Sequence, residues 1–283
     1  MQRLSEHAYA ATEFQGCNAG LIATSRGLIV IDPPMRPSSA LSWRAELKKL
    51  GEVRYVINTE HHRDHILGNH FFPGVVIGHE GTRQRFDEGL GTLEALRERV
   101  ARFGADEVPL MKDYRPRPPE VVFSESLTLH LGDVEVRLLA MKGHLPNNIA
   151  VYLPEERILY GSDNLFINSI PFLNECLPSQ WLQTLERIKA MDVDVLVPGH
   201  GQISDKRALD PLAAFLGEIA EEVRTAVAKG WGRDEVAERV SFFDRFPIEQ
   251  FSRSLAPRGH KLSILHLYDV VTLGEEKAPP LPL

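Results

Sequence analysis

The apolar positions of this chain fall into short runs broken by Gly, Pro, Asp and Asn, with stretches of helical spacing between them. Residues 19–31, AGLIATSRGLIVI, are two such runs around Ser25-Arg26-Gly27 and predict a β-hairpin that Asp32-Pro33-Pro34 stops. Over 38–50, Leu41, Leu47 and Leu50 recur among charged residues, predicting a helix with Ser38 or Ser39 as its N-cap. Residues 53–58 read as a strand, 75–78 as another, and a helix is expected from Thr82. Strand patterning returns at 121 and continues through 127–131, 134–141, 149–153 and 157–160. A helix over 179–191 places Trp181, Leu185 and Ile188 on one face, and a strand at 193–197 runs into Pro198-Gly199-His200-Gly201. Helical spacing then covers 207–229, 233–243 and 258–273, ahead of a Pro-rich tail.

One stretch breaks this rhythm. Residues 86–120 hold a charged helical run, LEALRERVARF, followed by Pro109 and RPRPPE. They are expected to be a surface insertion or lid, a solvated connector being the plain alternative. The order is strands with a helix, then strands, then helices. With no linker, it predicts a single α/β domain over 1–283, two sheets packed together with helices outside, and a C-terminal helical part over 205–283.

Composition narrows the function. The chain has 283 residues, 43% hydrophobic and 25% charged, enough for a sizeable core. A net charge of -7 without a basic stretch argues against a nucleic-acid partner. Two distant cysteines, Cys17 and Cys176, make neither a zinc ribbon nor a disulfide framework. The first residues lack a signal pattern, and no run reaches the ~18–20 apolar residues of a membrane span. A cytoplasmic protein with no membrane partner is expected, and the C-terminal helices offer a surface for a homodimer.

The chemistry concentrates after the 53–58 strand, in Thr59-Glu60-His61-His62-Arg63-Asp64-His65. In an extended segment, positions i, i+2 and i+4 point the same way, so Glu60, His62 and Asp64 are expected to converge, with His65 redirected by the following turn. His144 follows Gly143, Asp163 follows Gly161-Ser162, and His200 lies in Pro-Gly-His-Gly, each just past a strand. Any one of these alone reads best as structural. Together they supply enough imidazole and carboxylate donors for two metal ions, with room for water or substrate. His79, Asn147, Asn148, His260, His266 and Tyr268 are weaker candidates, for which capping, turn formation and helix packing are the better expectations.

With these residues in place, the chain resembles the metallo-β-lactamase fold superfamily of metal-dependent hydrolases. The resemblance spans about residues 17–203 and includes the hairpin ending in Asp32 and the Gly68-Asn69 pair. It implies an αββα sandwich of two mixed β-sheets with outer helices. The family's loop reads His-x-His-x-Asp-His, followed by a His, an Asp and a final His. It implies that Glu60, His62 and His144 hold the first metal, that Asp64, His65 and His200 hold the second, and that Asp163 bridges them. His61 is then a supporting or structural residue. This chain departs from the pattern at its first position, with glutamate in place of histidine. A carboxylate is harder and negatively charged, which lowers the Lewis acidity of that site. The implied cofactors are two divalent ions, zinc first, with iron or manganese as alternatives. The implied activity is hydrolysis of a small-molecule ester, lactone, thioester or amide by a metal-bridging hydroxide, with Asp64 orienting it and moving the proton. The rivals are a β-lactamase or a diiron redox enzyme of the same fold.

Overall fold

The hairpin read from 19–31 is the centre of a seven-stranded sheet. In the computed structural model, which describes residues 1–88, 92–247, 253 and 255–282, strands β1 (Gln2–Arg3), β2 (Ala8–Ala11), β3 (Ala19–Thr24) and β4 (Gly27–Ile31) pair antiparallel in that order. The first two were not foreseen, because MQRLSEHAYAAT has too few apolar positions to show alternation. β4 then pairs in parallel with β5 (Val53–Ile57), β5 with β6 (Val75–His79), and β6 with β7 (Val121–Phe123). Parallel central strands are covered on both faces, which is why Leu28, Ile29, Val30 and Ile31 form an unbroken apolar run, all at most 2% exposed. Burying each such side chain contributes about 1.5–3 kcal/mol. Parallel pairing also sets the C-terminal ends of β4 and β5 side by side, so Asp32 lies next to Asn58 and Thr59; Asp32 N donates to Ile57 O at 2.9 Å.

Helix α1 (Pro37–Leu47) connects β4 to β5 and buries Ala40, Trp43 and Leu47. Its N-cap is Arg36, not Ser38 or Ser39 as the sequence suggested. The place of a local cap is taken by the fully buried carboxylate of Glu107, which accepts from Ser38 N at 2.9 Å, from the Ser38 hydroxyl and from Arg36 Nε. A negative charge suits a helix N-terminus, but its arrival from residue 107 leaves no local signal.

The loop after β5 is also corrected. The strand ends at Ile57 and the chain bends over residues 59–62, after which α2 (Arg63–Ile66) and a 3-10 turn over Leu67–Phe71 follow. Glu60, His62 and Asp64 therefore do not share one extended face; Asp64 and His65 leave from a helical turn. Asp64 falls in the first turn, where the helix dipole favours a carboxylate. Helix α3 (Glu80–Glu88) starts two residues before Thr82. Within the 86–120 stretch, residues 89–91 lie outside the described residues; α4 (Leu93–Ala101) is capped by Thr92, whose hydroxyl accepts from Ala95 N at 3.2 Å.

A second sheet follows, with β8 (Ser126–Leu131), β9 (Val134–Ala140), β10 (Ile149–Leu153) and β11 (Ile158–Tyr160) antiparallel in sequence order. It faces the first sheet: the Tyr160 hydroxyl donates to Tyr9 O at 2.9 Å, and its ring fills the space where a Cβ on Gly20 would stand.

The chain divides into two compact units, the first being Met1–Ala140 with Ile149–Ser162 and the second Met141–Asn148 with Asp163–Leu283. The second contains β12 (Phe166–Ile167), α5 (Pro178–Ala190), β13 (Val195–Val197), β14 (His200–Gly201), α6 (Leu209–Ala228), α7 (Arg233–Arg239) and α8 (Ala256–Leu273). α5 buries Trp181, Leu185 and Ile188, as its spacing predicts. α7 ends four residues before the expected 243, because Phe242 turns inward, fully buried against Phe215 and His260. Among the described residues no helix is long and apolar enough to cross a membrane.

Candidate metal centre

In the first unit the site begins with Asp32, a non-glycine residue at φ +46°. Such a backbone costs of order 1–3 kcal/mol and persists where surroundings over-determine it. Here Asp32 Oδ1 accepts from Thr59 N at 2.8 Å, and Oδ2 accepts from the Thr59 hydroxyl and from His65 Nδ1 at 2.9 Å. Burial pushes the Asp32 carboxyl up, against the pull of His65 and Thr59 in the other direction. Donating through Nδ1 leaves the lone pair of His65 on Nε2, and His65 is fully buried. That Nε2 stands 3.6 Å from Glu60 Oε1, which His62 Nδ1 approaches to 2.6 Å. Glu60 is fully buried and His62 is about a quarter exposed, 26% by side chain. Asp64 and His65 present ligand atoms within 4.8 Å of one another. His61 is buried beside His62, their ring centroids 5.1 Å apart.

The second unit repeats the theme with other means. Asp163 Oδ2 lies 3.7 Å from His144 Nε2 and 3.4 Å from His200 Nε2. Phe166 stacks on the His200 ring at 5.3 Å and 9°, and meets the His144 ring edgewise at 5.5 Å. Trp181 also meets His144 edgewise at 5.5 Å, its ring 6.4 Å from that of Phe166, and its indole N–H donates to Asn164 O at 2.9 Å. Asn164 Oδ1 accepts from His144 N at 2.8 Å. The parallel pair β12 and β14 sets Phe166 directly opposite His200. Gly201 permits this: at φ +94°, a Cβ there would lie 1.8 Å from Ile167 O.

Donor spacing tests whether these groups suit a metal ion. Nitrogen and oxygen ligands bound at ~2.0–2.2 Å around a tetrahedral ion stand about 3.4 Å from each other. The separations of 3.7 and 3.4 Å from Asp163 to His144 and His200 are long for hydrogen bonds and match that edge. Glu60 and His62, at 2.6 Å, are at hydrogen-bond distance instead. A rival donor group within the first unit, Cys17 with Asp32 and His65, has ligand atoms within 4.8 Å of one another. Its members are committed elsewhere. Burial pushes the Cys17 thiol far up and it donates to Asp64 O at 3.1 Å, while both Asp32 oxygens already accept hydrogen bonds.

The weaker candidates resolve as support. His79 caps α3, its Nδ1 accepting from Gly81 N at 3.0 Å, with Nε2 2.9 Å from Ser124 O. Asn148 Oδ1 accepts from Leu145 N in the turn after His144. His260 Nε2 accepts from Phe242 N at 3.1 Å, and His266 bonds Cys176 O and Pro279 O. Tyr268 is half-buried on α8. The partners are not legible as such in the sequence: Asp32 reads as a strand stop that also ends the family-like hairpin, Trp181 as an apolar helix position, and Phe166 carries no signal. The one available signal was a polar residue before Pro-Pro at the end of a strand adjoining β5.

Residues 12–200 match the family model described as Metallo-beta-lactamase superfamily. Among curated proteins, a linear primary-alkylsulfatase from Pseudomonas sp. is 21% identical over 78% of this chain and 49% of its own length, so this chain spans about half of that relative. A metallo-beta-lactamase type 2 from Elizabethkingia meningoseptica is 22% identical over 80% of this chain and 88% of its own. A hydroxyacylglutathione hydrolase from Mesorhizobium japonicum is 23% identical over 58% and 57%. Among solved structures, a metallo-beta-lactamase family protein from Thermus thermophilus covers 97% of this chain and 95% of its own with TM-score 0.66 at 17% identity. The inverting sec-alkylsulfatase from Pseudomonas sp. covers 99% of this chain and 52% of its own with TM-score 0.68 at 16% identity. These neighbours bear out the expected fold class of two mixed sheets with helices.

Proposed function

The chain belongs to the metallo-β-lactamase superfamily, and from that premise we propose that it is a dinuclear metal-dependent hydrolase acting on a small-molecule ester, lactone, thioester or amide. The proposed ligands follow the family's loop pattern: Glu60, His62 and His144 for one ion, Asp64, His65 and His200 for the other, and Asp163 shared. The observation that carries the reading is the Asp163 Oδ2 atom, buried and at metal-chelating distance from two imidazole nitrogens. A bound pair of divalent ions, zinc first and iron or manganese as alternatives, would supply Lewis acidity and lower the pKa of water to near neutral.

The chain's own residues do the rest. Asp32 keeps the His65 proton on Nδ1 and so directs Nε2 toward the donors. Phe166 stacks on the His200 ring, and Phe166 and Trp181 together fix the orientation of the His144 ring. Asp64, partly exposed at the start of α2, takes the proton released by the attacking water and returns it to the leaving group. Glu60 in place of the family's histidine adds negative charge and softens the electrophilic pull at that position.

The named relatives, an alkylsulfatase, a hydroxyacylglutathione hydrolase and β-lactamases, support hydrolysis and differ in the bond cleaved. The test is a panel of alkyl sulfates, lactones, thioesters and a chromogenic β-lactam on protein of defined metal content. Chelation is expected to abolish turnover and zinc to restore it. Asp64→Ala is expected to lower kcat by about 10²–10⁴-fold, the usual contribution of a positioned general base. Turnover that survives chelation, or full activity in Asp64→Ala, contradicts the reading.

A further inference from the structure

The proline-rich return at 113–120 is not idle chain. Behind the proposed metal loop stand two fully buried amides, Asn58 and Asn69. They face each other reciprocally: Asn58 Nδ2 donates to Asn69 Oδ1 at 2.9 Å, and Asn69 Nδ2 donates to Asn58 Oδ1 at 2.7 Å. The second hydrogen of Asn58 goes to the carbonyl of His65 at 2.9 Å, and that of Asn69 to the carbonyl of Arg117, also at 2.9 Å. All four amide N–H groups are thereby used, so neither side chain can flip without leaving a buried donor unmade, which is costly.

Arg117 closes the set from outside. Its guanidinium donates to Asn69 O at 3.4 Å, to Phe72 O and to Gly74 O at 2.7 Å, gripping the turn that carries Asn69. Pro116, Pro118 and Pro119 around it remove backbone freedom, so little entropy is lost in presenting that grip. The opposite side of the turn is fixed by Gly68, where a Cβ would lie 2.3 Å from Pro33 O, next to Asp32. His65 is thus held twice, at its ring by Asp32 and at its carbonyl by Asn58.

We propose that Asn69 and Arg117 are positioning residues for His65: the Arg117–Asn69–Asn58 chain of hydrogen bonds sets the metal affinity of the loop from residues that touch no metal. This rests on the reading of His65 as a ligand. The test is zinc titration of metal-stripped wild-type chain, Asn69→Ala, Arg117→Met and Tyr114→Phe, by chelator competition well below each melting temperature. Tyr114→Phe removes a different contact of the same return, the 3.1 Å bond from its hydroxyl to Leu67 O. Outer partners of metal ligands typically change affinity 10–100-fold when removed, so Asn69→Ala and Arg117→Met are expected to weaken one zinc equivalent by about 10-fold. The other equivalent, and both in Tyr114→Phe, are expected to stay as in wild type. A lower melting temperature with both equivalents unchanged in Asn69→Ala and Arg117→Met overturns the proposal and makes the network a structural clamp. If Asn69→Ala does not fold, Arg117→Met decides alone. A wild-type chain that binds no zinc overturns the ligand reading of His65, and this proposal with it; wild type binding two equivalents beside unaffected variants overturns this proposal only.

Discussion

In the first unit a buried carboxylate oxygen, Glu60 Oε1, lies near two imidazoles, one of which belongs to a residue held by its ring's hydrogen bond to Asp32 and by the one its carbonyl accepts from Asn58. In the second, Asp163 Oδ2 lies near two imidazoles aimed by aromatic rings, Phe166 stacked on one and Trp181 set against the other. The chemistry is the same and the means differ. A carboxylate on Nδ1 selects a tautomer as well as an orientation. A stacked ring fixes a plane and selects no tautomer. Hydrogen-bonded donors should therefore be sensitive to isosteric changes that alter protons, and ring-packed donors to changes in shape.

The largest effect is expected at Asp32. Asp32→Asn keeps the shape but presents an amide to His65 Nδ1, which favours the proton on Nε2, where the lone pair is needed. Zinc affinity is expected to fall by about 10–100-fold, as for other outer partners of metal ligands, and histidine-selective nitrogen NMR should show the tautomer exchanged. Unchanged affinity and tautomer would remove the distinction between the two regions.

A smaller effect is expected at Phe166. Phe166→Leu keeps an apolar side chain but loses the stack on His200, worth about 0.5–1.5 kcal/mol beyond area burial for aromatic pairs. Affinity is expected to fall less than 10-fold, with no tautomer change; a loss matching that of Asp32→Asn would make the aromatic wall as decisive as the hydrogen bonds.

The smallest effect lies outside both clusters and serves as their control. Burial pushes the His7 imidazole down, but the hydrogen bond and charge of Glu156, joined by Asp133, outweigh it and hold the pKa above 6.5. A raised folded-state value means that the pair stabilises fully below 6.5 and that this contribution is lost as pH rises through the folded value. The melting temperature of wild type should exceed that of His7→Asn at acidic pH, and the gap should close in alkaline solution. A gap that widens with pH contradicts the assignment. Zinc affinity should be the same in both proteins.

Much of the fold was legible because its elements are driven by local periodicity. The turn at Ser25-Arg26, the buried run of β4 and the Trp181 face of α5 follow from alternation, helical spacing and turn chemistry alone. The seven proposed ligands were legible as residue types after strands. Their partners were less so, for a physical reason. Asp32 meets His65 only because β4 and β5 run parallel, and Glu107 caps α1 from about seventy residues away; such pairings exist only in the folded chain. The bends over 59–62 and the start of α2 after His62 are hidden too, since four helical residues are too few to show a period. Asn69 is legible beside Gly68, but its link to Arg117 crosses 48 residues.

The most direct measurement is a crystal structure of the zinc-loaded protein with anomalous data at the zinc edge. Two peaks per chain are expected, with Asp163 ligating both ions, His65 bound through Nε2 and Asp32 still on its Nδ1. No peak at these donors, a single ion, or an ion held by Cys17, Asp32 and His65 would contradict that expectation.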